Sequence, residues 1–167
     1  DRGMKPLLSF YADHYFRVYV QVEEGAAPTD RSLGQIGYLY YDPDTLRRSV
    51  SKERDEKHNK GPFWIGPLHD KRLLARMNTD GTEKEKRCVK MLDLWRNELD
   101  EQVFLYDVSE LSSYTKLSPA KIETLINALN EEGRTALTHM SPTSFKTEMD
   151  LDSVLRIYKK TSPDNKA

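Results

Sequence analysis

The chain has 167 residues, 37% hydrophobic and 32% charged, with 26 basic and 27 acidic side chains and a net charge of −1. That is enough for one domain or two small ones sharing a core, and no apolar run approaches the roughly 18 residues a membrane-spanning helix needs. No signal peptide is present, and the single Cys88 excludes an internal disulfide framework and suits a reducing, cytoplasmic compartment.

Residues 14–23 alternate. Phe16, Val18, Val20 and Val22 share one face, and Tyr15, Arg17, Tyr19 and Gln21 the other, which predicts a strand. Residues 25–32 read as a polar connection around Pro28. Residues 35–41 read as a second strand, paired with the first in an antiparallel ribbon and ended by Asp42-Pro43-Asp44. Residues 45–60 are charged and weakly patterned, which predicts an exposed loop or a mobile hairpin tip.

The next ten residues are the most distinctive word in the chain: Gly61-Pro62-Phe63-Trp64-Ile65-Gly66-Pro67-Leu68-His69-Asp70. Each Pro restricts its own backbone and the residue before it, and Gly at that preceding position relieves the side-chain clash. The expected shape is a turn, a short buried strand over 63–65 with Trp64 as a core anchor, and a second turn. Pro67 is placed to open a helix reaching Met77. Asn78-Thr79-Asp80-Gly81 breaks it. A longer helix over 82–99 carries Cys88, Leu92, Trp95 and Leu99 on one stripe, with Thr82 and Glu85 spaced as a capping box.

The last third has a clear rhythm. A short helix starts near Asp107 or Ser109. A second, capped by Ser118 with Pro119 in its first turn, carries Ile122, Leu125, Ile126 and Leu129 and ends at Gly133. Residues 134–140 and 144–148 pair across Ser141-Pro142-Thr143. A closing helix, capped by Asp150, carries Leu151, Val154, Leu155 and Tyr158, and a polar frayed tail follows from Ser162. The expected fold class is α+β: an antiparallel sheet with packed helices over 1–100, then a winged-helix-like helix, helix, hairpin and helix over 101–161, then the tail over 162–167.

No motif for catalysis stands out. There is no Gly-rich phosphate loop and no G-x-S-x-G, and four histidines with one cysteine offer no metal-ligand spacing. The neighbours in Asp13-His14 and in His69-Asp70 point in different directions, so neither pair forms a dyad by itself. Charge is more informative. Residues 46–97 hold 14 Lys and Arg against 8 Asp and Glu, a net of +6, and residues 98–133 hold 2 against 8, a net of −6. The candidates for nucleic-acid contact are Arg17 with Tyr15 and Tyr19, then Arg47, Arg48 and Lys52, then His139, Lys146 and Thr147 with the hydroxyls of Thr143 and Ser144. A solvated loop, a covered sheet face and a plain surface turn are the competing readings of those three groups.

Three words stand in order. The first runs from Leu7 through Tyr11-Ala12-Asp13-His14-Tyr15-Phe16-Arg17 to Val20, the second is the Gly-Pro word, and the third is Thr138-His139-Met140-Ser141-Pro142 with Lys146-Thr147. Together they resemble the C-terminal domain of the tRNA (guanine-26, N2)-dimethyltransferase family, over about residues 5–149. The resemblance implies a tRNA-binding piece of a larger enzyme, inert alone. It implies that S-adenosylmethionine and the catalytic groups belong to an N-terminal domain absent here, so this part holds no cofactor, no catalytic residue and no metal. Its partners would be tRNA and that N-terminal domain. The residues matched to the family are Asp13, His14, Tyr15 and Arg17; Gly61, Pro62, Trp64, Gly66, Pro67, Leu68 and Asp70; and Thr138, His139, Pro142, Lys146 and Thr147. Leu137 stands where the family tends to place Arg, and no cysteines stand between Tyr41 and Gly61, where many members carry a pair. Two other classes stay open: a winged-helix DNA-binding or protein-docking module, and an interdomain scaffold without RNA contact.

Overall fold

A computed structural model describes residues 1–165. The chain divides into two compact units, one of residues 1–40 with 48–96, the other of 41–47 with the chain from Asn97 onward. Antiparallel sheets with packed helices make the fold α+β.

In the first unit, strand β1 (Arg2–Ala12) turns at Asp13, whose φ is +54°, into β2 (Tyr15–Glu24), and the two pair antiparallel from Arg2↔Glu24 to Ala12↔Tyr15. The alternation over 14–23 thus marks a strand, but its partner is the segment before it and not residues 35–41. A helix, α1 (Ala26–Leu33), stands where a polar connection is expected. Pro28 sits in its first turn, where no intrahelical N–H is required. Ser32 fastens the helix to β1: its Oγ donates to the Met4 carbonyl at 2.9 Å and accepts from the Met4 N–H at 2.6 Å.

Strand β3 (Ile36–Tyr41) is the centre of a second sheet, between β4 (Arg48–Ser51) and β5 (Lys60–Trp64). The expected loop over 45–60 therefore contains a strand, and Asp55 and His58 tie the tip together through the His58 N–H and Nδ1. Helix α2 (Lys71–Arg76) begins after Asp70, not at Pro67. The Asp70 carboxylate accepts from the N–H groups of Arg72 and Leu73, satisfying two donors that the first turn cannot pair internally. Helix α3 (Glu85–Asn97) starts three residues later than the expected capping box, and the Thr82 hydroxyl donates back to the Thr79 carbonyl. Leu8, Leu74, Leu92 and Trp95 form a small core, with Phe10, Met77 and Met91 at its edge.

The second unit carries the larger core. Strand β6 (Tyr106–Asp107), helices α4 (Val108–Thr115) and α5 (Ile122–Asn130), strands β7 (Thr135–Leu137) and β8 (Ser144–Thr147) and helix α6 (Leu151–Thr161) follow in order, with the sheet arranged β6-β8-β7. Leu111, Leu125, Leu129, Phe145, Val154 and Tyr158 are fully buried within it. Asp150 caps α6 as expected, and α4 starts after Asp107, whose side chain caps it. Ser118 does not cap α5; its N–H is held by Asp164 and its carbonyl accepts from Ser162 Oγ. Ser162 is buried and residues Pro163–Asn165 make a 3₁₀ turn, so the chain keeps regular structure past the Ser162 at which fraying is expected. The expectation for Lys166 and Ala167 lies outside the described residues.

Candidate nucleic-acid interface

Strand β2 presents Arg17 between two tyrosines. The register places Tyr15, Arg17 and Tyr19 opposite Ala12, Phe10 and Leu8, so the three share one face of the ribbon. Arg17 donates to Tyr19 Oη at 3.2 Å, and its guanidinium carbon lies 5.0 Å from the Tyr15 ring centroid. The hydrogen bond to Tyr19 and the nearby phenols raise the Arg17 pKa further, and a guanidinium stays charged in any case. Tyr15 and Tyr19 are each nearly half exposed. A fixed cation beside two open aromatic rings can hold a phosphate and stack a base.

The opposite face of the same ribbon is apolar and open. Phe16 is 76% exposed and Val18 66%, and Val20, Val22 and Met4 extend the stripe. Tyr11 covers one flank of Phe16, with ring centroids 4.9 Å apart. Alternation normally signals one buried face; here that face has no cover within its unit.

The loop cations are divided. Arg48 and Lys52 belong to the first unit and Arg47 to the second. Arg47 and Lys52 are exposed and Arg48 is half-buried. Lys52 Nζ donates to the Gly34 carbonyl. Lys57 sits over the Tyr40 ring at 4.6 Å.

His139, Lys146 and Thr147 are not surface groups. In the second unit Glu98 gathers two of them: its carboxylate lies 2.6 Å from His139 Nδ1 and 3.0 Å from Lys146 Nζ, and the His139 and Glu98 side chains have no exposure. Burial pushes the Glu98 pKa up, but the His139 hydrogen bond and the Lys146 charge outweigh it and bring it down to about 2. Thr147 Oγ1 is occupied by Thr135 Oγ1 at 2.8 Å and the Arg134 carbonyl at 3.0 Å. The turn hydroxyls are spent on a carboxylate: Thr143 Oγ1 donates to Asp107 at 2.8 Å and the buried Ser144 Oγ at 2.6 Å. Burial raises the Asp107 pKa, and hydrogen bonds from Ser109, Ser144 and Thr143 overcome it, to about 2. These residues hold the hairpin together, and the expected phosphate contact at its tip is withdrawn. Arg134 does not replace the family's Arg there, since it pairs with Glu148 at 2.8 Å and Glu101 at 3.3 Å.

The Gly-Pro word forms a corner. Gly61 has φ +143°, a conformation L side chains rarely adopt, and Gly61–Pro62 is cis. Phe63 is about half exposed and Trp64 half-buried, so the strand is not a core strand and Trp64 is not the anchor expected. Its Nε1 donates to the Pro67 carbonyl at 3.1 Å, closing the corner. Trp95 is the buried indole of this unit, tilted against Phe10 at 4.8 Å. His69 is buried, with Nε2 bonded to the Ser9 carbonyl at 3.0 Å, and its backbone bridges to Leu8. Asp13 binds Arg87 through both oxygens at 2.7 Å. In both adjacent acid–histidine pairs the acid bonds a residue other than its neighbouring histidine: Asp13 pairs with Arg87, and Asp70 with Lys5. Among the described residues no three His, Cys, Asp or Glu side chains come together as metal ligands.

The family model for N2,N2-dimethylguanosine tRNA methyltransferase matches residues 1–159. The chain belongs to that family. A tRNA (guanine(26)-N(2))-dimethyltransferase of Pyrococcus horikoshii is 34% identical over 170 residues, covering 94% of this chain and 44% of that protein. One from Methanocorpusculum labreanum is 36% identical over 168 residues, covering 90% and 44%. The solved structure of Trm1 from Pyrococcus horikoshii in complex with S-adenosyl-L-methionine matches with a TM-score of 0.84 at 30% identity, over 94% of this chain and 44% of that one. The chain thus spans less than half the length of these relatives, and the matched part is their C-terminal region.

For a dimethyltransferase family member, two features went unread in the sequence. One is the open stripe on β2, whose alternation looks the same whether or not something covers it. The other is a cleft beside Trp64, which brings together β1, α1 and the Gly-Pro corner.

Proposed function

We propose that this chain is the tRNA-holding part of a tRNA (guanine-26, N2)-dimethyltransferase, and that methyl transfer from S-adenosylmethionine to the guanine N2 is carried out by a partner half of the same enzyme. Family membership supports the reading, and one observation carries it: Arg17, fixed by Tyr19 and set against Tyr15, is a ready-made contact for an RNA strand. Arg48 and Lys52 add charge in the same unit. The open stripe of Phe16, Val18, Val20 and Val22 is the face that docks the methyl-donor half. No described residue cluster suits acid–base work on the guanine, so no catalytic step is assigned to this chain. A DNA-reading role is disfavoured by α5, whose solvent side offers Glu123, Glu131 and Glu132, the last already paired with Arg156.

The test is fluorescence anisotropy of labelled tRNA across a salt series. Each phosphate contact steepens the dependence of log affinity on log salt by about 0.7 to 0.9. Arg17→Ala with Arg48→Ala and Lys52→Ala should flatten the slope by about two. Replacing Glu123, Glu131 and Glu132 with Gln should leave it nearly unchanged. Binding that ignores salt, or a slope untouched by the basic changes, would leave only the scaffold reading.

A further inference from the structure

The Gly-Pro corner borders a cleft of about 530 Å³ that lies wholly within the first unit. That is within the ordinary range for a small-ligand site. Its walls are apolar: Met4 and Pro6 from β1, Pro28 from α1, and Trp64 and Pro67 from the corner. The Trp64 indole is held by its bond to the Pro67 carbonyl, so the ring is a fixed surface and not a mobile lid.

The polar groups at the cleft differ in what they have left to offer. Lys5 is paired with Asp70, and Arg31 with Glu23. Lys71 is engaged by the carbonyls of Trp95 and Arg96. Two groups are left over. Among the described residues the exposed Arg72 guanidinium has neither an ion pair nor a side-chain hydrogen bond, and the half-buried Gln35 amide has no hydrogen bond either. Gly66 leaves room for that amide: a Cβ there would stand 2.3 Å from Gln35 Oε1. An aromatic wall, an amide able both to donate and to accept, and an uncompensated guanidinium on the rim match three parts of one ligand: a base face, a base edge and a phosphate.

We propose that this cleft is a subsite for one unstacked nucleotide of an RNA strand. The base lies against Trp64, its edge meets the Gln35 amide, and its phosphate meets Arg72. The subsite rests on the tRNA reading above. A neutral peptide segment would also find apolar walls here, but it would leave the Arg72 cation without a counter-charge.

The test uses the 167-residue chain labelled with fluorotryptophan. It has two indoles, and Trp64→Phe assigns their fluorine signals. Nucleoside monophosphates should move the Trp64 signal and leave that of the buried Trp95 in place, and inorganic phosphate alone should move neither. Gln35→Ala and Arg72→Ala should each weaken the nucleotide titration, and tRNA binding in parallel, by roughly tenfold. Both replace solvent-accessible side chains that make no bond, so they keep the fold. The subsite is overturned if nucleotides leave the Trp64 signal unmoved, or if phosphate alone reproduces the shift. It is also overturned if tRNA binds all variants equally, which spares the tRNA reading. Loss of tRNA binding by the parent chain while nucleotides still move Trp64 would instead overturn that reading.

Discussion

Glu98→Gln isolates the buried charge that holds the β7–β8 hairpin. The substitution keeps the shape and an acceptor for the His139 N–H, but it leaves Lys146 buried without its counter-ion. Removing one partner of a buried pair costs about 3–5 kcal/mol. The depressed carboxyl pKa points to the same size of effect. The Glu98 pKa falls from an ordinary 4.5 to about 2. At about 1.36 kcal/mol per pH unit this corresponds to about 3 kcal/mol. The sign follows from the depressed pKa: the contribution is whole above pH 4.5, where the unfolded carboxyl is ionised, and is lost as pH falls from there through about 2. Urea denaturation followed by circular dichroism at neutral pH and near pH 3 is the assay. The parent should lose part of its stability across that interval. Glu98→Gln should start about 3 kcal/mol lower and show a shallower loss. Glu98→Gln with Lys146→Met should recover much of the deficit, because no charge is then stranded. Equal midpoints for parent and Glu98→Gln, or an unchanged pH slope, would refute the reasoning.

The two indoles should behave differently. Trp95→Ala, which opens a hole in the core, should cost about 3–5 kcal/mol by thermal denaturation, while Trp64→Ala, at a half-buried corner, should cost about half as much or less. Asp70→Ala should lose about 1 kcal/mol or more from removal of the α2 cap, and Asp70→Asn should recover most of it, both read by melting temperature. Phe16→Ser with Val18→Ser should leave the melting temperature of the chain almost unchanged, since both side chains are mainly exposed. In a pull-down against a separately made methyl-donor half of the enzyme, the same pair should lower retention at least tenfold, about 1.4 kcal/mol.

Local patterns determined what local physics controls. The period of residues 14–23 was enough for β2, and the i, i+3, i+4, i+7 spacing from Ile122 to Leu129 was enough for α5. Asp150 read correctly as a cap because a cap needs only its own side chain and the next turn. The three sequence words were sufficient to recognise the family over most of the chain. Pairing and burial were settled elsewhere. A strand's alternation states that it has two faces, not which neighbour it takes or whether anything covers it, so β2 joined β1 and kept its apolar stripe open. Lys146 and His139 looked like surface contacts because their residue types are usually outside. The counter-charge that lets them be buried is Glu98, some forty residues away in sequence, and only the folded chain brings it there. Trp64 and Trp95 are the same residue in similarly apolar sequence, and tertiary packing alone placed one in the core and the other at the edge of a cleft.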